Sequence, residues 1–159
     1  MTSNMCREKG QTDERMMVRL LAFALNASPS LVFGRGLSTE DEADLMDVDP
    51  TGAIDNWIDV GLPDEKSIRR AANRSRRMLV LSYGGRGAEI WWQQTAAKVS
   101  GLRNLSVLAL EPAASQALGA LAERTMRLQC TIQDGMVWLG GAAGDLEITP
   151  RILQSPVLS

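Results

Sequence analysis

Histidine is absent from all 159 residues, and that absence excludes Ser-His-Asp and Cys-His nucleophiles, imidazole bases and histidine-bearing zinc sites. Cysteine occurs only at Cys6 and Cys130, too few for a disulfide framework, a four-thiolate metal site or an iron–sulfur cluster. No apolar run has the length of a membrane span, and the opening Met1-Thr2-Ser3-Asn4-Met5 lacks the apolar core of a signal peptide. A formal net charge of −2 excludes a generic polycation that binds nucleic acid everywhere on its surface. What is present is a 45% apolar content, enough for one buried core in one domain. The expected setting is the cytoplasm, without a membrane partner. Chemistry must rest on carboxylates, Lys and Arg, amides or hydroxyls, with a hard metal ion as the natural cofactor.

Residues 1–11 are polar and patternless and read as a disordered or non-native leader. Thr12 reads as a helix N-cap, with Asp13 and Glu14 in a first turn that favours anions. At 100° per residue Glu14 falls in line with Met17, Val18, Leu21 and Leu25, while Arg15, Arg19, Ala22 and Asn26 take the more polar side. Leu31 to Phe33 reads as a short strand, and residues 38–53 as an acidic, Gly/Pro-punctuated stretch. Ile54 to Val60 alternates, which predicts a strand with Asp55, Trp57 and Asp59 on one face. A basic helix is expected over 65–76, a buried strand over 78–83, a helix over 88–100, a strand over 105–110 and a helix over 112–123. Asp134-Gly135 suits a type I′ hairpin turn between strands at 125–133 and 136–139, with a last strand over 146–149. Alternating helices and strands predict an α/β domain over 12–150, a central mixed sheet flanked by helices with an antiparallel hairpin added, and a tail over 151–159.

The charges are segregated. Ten acids lie between Glu40 and Glu65 with no Lys or Arg among them: Glu40, Asp41, Glu42, Asp44, Asp47, Asp49, Asp55, Asp59, Asp64 and Glu65. The next twelve positions hold Lys66, Arg69, Arg70, Arg74, Arg76 and Arg77 and no acid. One reading is a solvated acidic loop salt-bridged to a basic helix. The other is a cation site beside a phosphate-gripping helix, because carboxylates concentrate divalent ions and guanidinium groups hold polyanions. Glu14 on an apolar stripe and Asp59 in a strand favour the second, since neither is a natural address for a solvated charge.

Several runs, in order, resemble one known family. They are Thr12-Asp13-Glu14-Arg15-Met16-Met17, Gly36-Leu37, Glu42-Ala43-Asp44-Leu45, Trp57-Ile58-Asp59-Val60-Gly61-Leu62-Pro63-Asp64, Ile90-Trp91-Trp92-Gln93-Gln94, Arg124-Thr125-Met126-Arg127-Leu128-Gln129 and Ile132-Gln133-Asp134-Gly135. Together they resemble the YaeQ family across residues 12 to 150. That resemblance implies a variant of the PD-(D/E)XK nuclease fold, shared with restriction endonucleases. It implies Glu14 as the first-helix acid, Asp44 as the aspartate of the "PD" element and Asp59 as the acid of the "(D/E)XK" element. Gly61 stands where an active nuclease has Lys, and the resemblance moves that basic role to Arg70 or Arg69 on the next helix. Gln94, or Gln93, matches the helix glutamine of RecB-like enzymes. Ala43 replaces the expected proline, Met46 stands where Trp is usual, and residues 1–11 do not match the family's N-terminal strand region.

Three functions follow as expectations. The first is a nuclease in which Glu14, Asp44 and Asp59 hold Mg²⁺ or Mn²⁺ while Arg69 and Arg70 clamp the phosphate of DNA or RNA. Lys66, Arg69, Arg70 and Arg74 would then carry the nucleic-acid contacts. The second is a catalytically degenerate module that binds nucleic acid or a protein partner, with a link to transcription elongation implied by the resemblance. In the third, the basic helix is only salt-bridged to the acidic stretch.

Overall fold

Two acids in a first turn and an apolar run behind them make helix α1 (Asp13–Leu25) in the computed structural model, which describes residues 2–3, 13–34, 43–122, 126–141 and 144–156. A six-stranded sheet carries the site. Its strands are β2 (Leu31–Phe33), β3 (Leu45–Val48), β4 (Ile54–Val60), β5 (Ser75–Ser82), β6 (Leu105–Ala109) and β10 (Arg151–Gln154). Their spatial order is β10-β6-β5-β4-β3-β2. The centre, β4-β5-β6, is parallel, and β2, β3 and β10 join antiparallel, so the sheet is mixed, as the alternation of helices and strands predicts. The parallel strands are linked by α2 (Glu65–Arg74) and α3 (Arg86–Val99), and α4 (Pro112–Ala120) follows β6. A second, antiparallel sheet has the order β1-β7-β8-β9, from Thr2–Ser3, Met126–Gln133, Met136–Gly141 and Gly144–Ile148.

The two faces of the mixed sheet have separate cores. On one, Val18 and Leu21 of α1 and Leu118 of α4 pack with Ile58, Leu81 and, from the second sheet, Val137 and Ile148. On the other, Ile68 and Ala71 of α2 and Trp91 and Val99 of α3 pack with Trp57, Val80 and Val107. Each fully buried aliphatic side chain contributes about 1.5–3 kcal/mol, so both layers hold the sheet firmly. Asp134 and Gly135 both have positive φ, 53° and 79°, the backbone that a type I′ turn requires.

Four local expectations change. The helix expected to reach Arg76 ends at Arg74, because Ser75 Oγ donates to the Ala71 carbonyl (2.7 Å) and the Asn104 amide donates to the Ala72 carbonyl (2.8 Å). Arg76 and Arg77 therefore belong to β5. The acidic stretch contains β3, whose Asp47 is absorbed by the hydroxyls of Ser28 and Ser30. The expected tail supplies β10, which covers the edge of β6. The expected leader supplies β1, with Thr2 opposite Arg127; its residues 4–11, Cys6 among them, lie outside the described residues.

Candidate functional site at the β3–β4 acids

Strand register brings two of the sequence-predicted acids together. Leu45 of β3 pairs with Ile58 of β4, so one step further along the antiparallel ladder Asp44 faces Asp59. The Asp44 backbone N–H donates to Asp59 Oδ1 at 3.4 Å. The Asp44 carboxylate in turn accepts from the Val60 backbone N–H at 2.8 Å through Oδ2. Both acids thus sit at the carboxyl end of β4, each bound to backbone beside the other.

Helix α1 supplies the positive charge. Arg15 Nη2 contacts Asp44 Oδ1 at 2.5 Å, and its Nη1 donates to the Val60 carbonyl at 3.1 Å. Arg19 Nε lies 3.4 Å from the same carboxylate oxygen, and its Nη2 donates to the carbonyls of Gly34 (2.9 Å) and Asp44 (3.0 Å). Arg19 is only 1% exposed, and its guanidinium lies 5.3 Å from the centre of the Phe33 ring. Both arginines were expected on the polar side of α1. The helix is instead packed on more than one side, which buries Arg19 and Ala22 along with the apolar stripe.

Electrostatics separates the two acids. Burial pushes the Asp44 carboxyl above its ordinary range, against the opposing pull of Arg15, the Val60 N–H and Arg19. Asp59 is pushed up to about 6, first by burial and then by the neighbouring Asp44 charge. The Trp57 indole beside it, the Asp44 N–H and the Arg15 charge offset this only in part. The Trp57 N–H is buried and stops short of hydrogen-bond geometry with any partner. Tyr83, next to Arg15, is raised by burial.

Gly61 has φ +106°, and a Cβ there would lie 3.5 Å from Arg15 Nη1. The positive φ, rather than a lack of space beside the Arg15 guanidinium, is what calls for glycine here. Arg15 and Arg19 are the site residues that sequence reading missed. Their spacing of four, which points both along one side of the helix, was the available signal.

The other expected residues lie differently. Glu14 is half-buried at the α1–α4 contact, where a Cβ on Gly119 would come within 3.3 Å of its Cα. It does not complete a three-acid cage with Asp44 and Asp59: among the described residues no three Cys, Asp or Glu side chains are grouped to hold a metal ion. Arg69 pairs with Glu65 at 2.8 Å and donates to the Lys98 carbonyl at the end of α3, so it is tied across the helices. Lys66 and Arg70 act on Asp64, the N-cap of α2, and help to hold its carboxyl below the usual range, behind the larger effect of the bonds from Ser67. Arg74 is exposed in the last turn of α2, and Gln94 is exposed on α3. Arg76 bridges Asp49 (3.1 Å) and Asp55 (2.6 Å). Much of the acidic stretch is therefore spent on caps, turns and local ion pairs, and the acids left facing each other are Asp44 and Asp59. Glu40, Asp41 and Glu42 lie outside the described residues.

Comparison with known proteins gives one family throughout. A family model described as "YaeQ protein" matches residues 4–150. A relative from Salmonella typhi, described as "Uncharacterized protein YaeQ", is 43% identical over 152 residues, covering 96% of this chain and 84% of its own. The protein of the same description from Escherichia coli K12 is 40% identical with the same coverage. The crystal structure of YaeQ protein from Xanthomonas axonopodis pv. citri superposes with a TM-score of 0.91 at 49% identity, covering 96% of this chain and 86% of that one. That of YaeQ protein from Pseudomonas syringae gives 0.88 at 30% identity, covering 94% and 82%. Among the described residues no helix is long and apolar enough to cross a membrane.

Proposed function

The chain belongs to the YaeQ family, and from that premise we propose that Asp44 and Asp59 form a divalent-cation site for phosphodiester hydrolysis in nucleic acid, on a sheet of the PD-(D/E)XK nuclease type. The observation that carries this reading is the juxtaposition of two carboxyl groups at one strand end, with the Asp59 carboxyl set against the Asp44 backbone at 3.4 Å. The Asp44 charge raises the Asp59 carboxyl, a like-charge repulsion that a hard cation relieves, and carboxylate oxygens are the donors that Mg²⁺ and Mn²⁺ prefer. The residues present therefore fit such an ion. When bound, it would polarise a phosphodiester and acidify an attacking water. Asp44 is oriented by Val60, Arg15 and Arg19, and Asp59 by the Asp44 N–H. Arg15 lies at the same end of β4, where its permanent charge favours an incoming phosphate.

A specific observation favours a second reading, binding of nucleic acid without cleavage. Arg15 and Arg19 already hold Asp44, and a guanidinium cannot take a proton from water as a lysine amine can. The links from Arg69 to Glu65 and to the Lys98 carbonyl also direct that residue to a structural role.

The deciding experiment is calorimetric titration with Mn²⁺, followed by cleavage assays on single- and double-stranded DNA and RNA. The hydrolase reading expects one ion bound, binding lost in Asp59→Asn, and cleavage that requires the ion. Nucleic-acid binding without metal binding or cleavage selects the second reading. The absence of metal binding, nucleic-acid binding and cleavage together overturns both.

A further inference from the structure

The connections of the parallel strands leave a crevice that the acid pair does not use. After β5 the chain enters α3, which packs on the face with Trp57 and Val80. After β6 it enters α4, which packs on the opposite face with α1. Adjacent parallel strands whose following helices go to opposite faces make a topological switch point, and open α/β sheets bind ligands in the crevice at the carboxyl ends of such strands. A cavity of about 260 Å³ lies there. Its walls come from the first two turns of α3, the start of α4 and β10, and its chemistry-bearing lining is Glu89, Trp92, Gln93, Glu111 and Arg151.

The lining selects a class of ligand. Ser82 is buried in the lining and its hydroxyl proton is spent on the Leu108 carbonyl at 2.9 Å, so it has no proton to donate to a guest. Gly85, beside the Pro112 ring, turns the chain into α3 at φ +62°, a backbone that favours glycine. Two carboxylates against one guanidinium disfavour a phosphate. Arg151 and Glu111 are 3.9 Å apart, too far for a hydrogen bond, and both side chains are mostly exposed. The half-buried Trp92 indole supplies an aromatic wall. An aromatic wall, an amide and two carboxylate acceptors are what a flat, neutral ring with N–H donors on its edge requires. The volume suits one such ring rather than an extended ligand.

We propose that this crevice is a subsite for a single unstacked nucleobase bearing an exocyclic amino group, its ring against Trp92 and its donor edge on Glu89, Gln93 and Glu111. The assignment rests on the nucleic-acid reading of the Asp44–Asp59 pair and adds to it the part of the substrate that the pair does not touch. The two sites are close. Asp59 pairs with Val80, and Ser82 lies one strand over and two residues along. Strand spacing and rise then place their Cα atoms roughly 8 Å apart, within reach of a nucleotide flanking a phosphate held by the acids. Cytosine N4, adenine N6 and guanine N2 supply the required donors, and uracil and thymine lack an amino group.

The test is calorimetric binding of CMP and UMP, and of single-stranded oligo-dC, oligo-dT and an abasic strand of equal length, to the full chain. The proposal expects CMP to bind at least tenfold more tightly than UMP, and oligo-dC more tightly than oligo-dT. The double variant Gln93→Ala/Glu111→Gln, both at exposed positions, is expected to lose about tenfold in CMP affinity and to leave the abasic strand unaffected. Trp92→Leu is expected to weaken both bases together, with circular dichroism and melting checking its fold. Equal affinity for CMP and UMP, or a double variant indistinguishable from the parent, overturns the subsite while strand binding and cleavage keep the hydrolase reading alive. CMP selectivity that responds to the variants, without binding or cleavage of any strand, upholds the base site as one for free mononucleotides and removes the nucleic-acid reading of the acids.

Discussion

Asp59→Asn should stabilise the protein, by an amount that grows as pH rises from about 4 to about 6 and then levels off. In the folded state the Asp59 carboxyl titrates near 6, against about 3.8 when exposed, because burial and the Asp44 charge disfavour its ionised form. An acid whose pKa is raised on folding binds more protons folded than unfolded between those two values. Stability from this group therefore falls as pH rises through that window, and the loss is complete above about 6. Relative to the protonated form, the penalty is about 2 kcal/mol at pH 5 and about 3 kcal/mol at pH 8, both as ceilings because the carboxyl is not wholly withdrawn from water. Asparagine keeps an oxygen to accept from the Asp44 N–H and carries no charge, so it escapes this penalty and also relieves Asp44. The advantage of the variant should grow by about 1 kcal/mol between pH 5 and pH 8, or about 2–4 °C in Tm for a domain of this size. Urea unfolding of both proteins at the two pH values, in chelator, measures the gap directly. Comparing variant with parent removes the pH dependence of the other acids. A gap that does not change with pH, or a variant less stable than the parent at pH 8, would refute a carboxyl raised by burial and by Asp44.

Arg19→Ala should lower unfolding stability by about 3–5 kcal/mol, since it strips a buried cation from Asp44 and from two carbonyls; chemical denaturation checks this. Gly61→Ala should destabilise by about 1–3 kcal/mol through its φ of +106°, measured by chemical denaturation. Asp64→Ala should lose the N-cap of α2, whose carboxylate accepts from Ser67 N at 2.7 Å, at about 1 kcal/mol by thermal melting.

The frame was largely legible because its signals are local. Alternation in Ile54 to Val60, the start of the basic helix at Glu65 and the Asp134-Gly135 turn each act within a few residues, and each is found where spacing predicts. Strands β3 and β10 were not legible, since four-residue segments owe their form to the neighbours they pair with rather than to a period of their own. Asp44 and Asp59 could be named from the family pattern, but their meeting depends on the Leu45–Ile58 register, a non-local fact. The arginines failed for the same reason. A helical wheel assigns one buried face, whereas α1 is enclosed by α4, by the sheet and by the β2–β3 segment, so Arg19 is buried on what a single-face wheel calls its polar side. The charge-segregated stretch misled in a different way: Arg76, counted with the basic helix, turns back to Asp49 and Asp55 once it joins β5.

The division of charge within the pair decides what the site can do. Tyr83 is raised further above neutrality by burial, and Asp44 is held by two guanidinium groups and the Val60 N–H. Asp59 is left as the group whose proton comes and goes near neutral pH. Holding a cation and holding a proton are then competing uses of one carboxylate, so the proposed metal dependence and the pH dependence must be linked. Below about pH 6 each unit of acidification should weaken Mn²⁺ binding about tenfold, and above about pH 7 the affinity should level off. Titrations with Mn²⁺ at pH 5, 6, 7 and 8 measure that slope. A Mn²⁺ affinity that stays flat across this range would place the ion away from Asp59, and with it any hydrolysis that the ion supports.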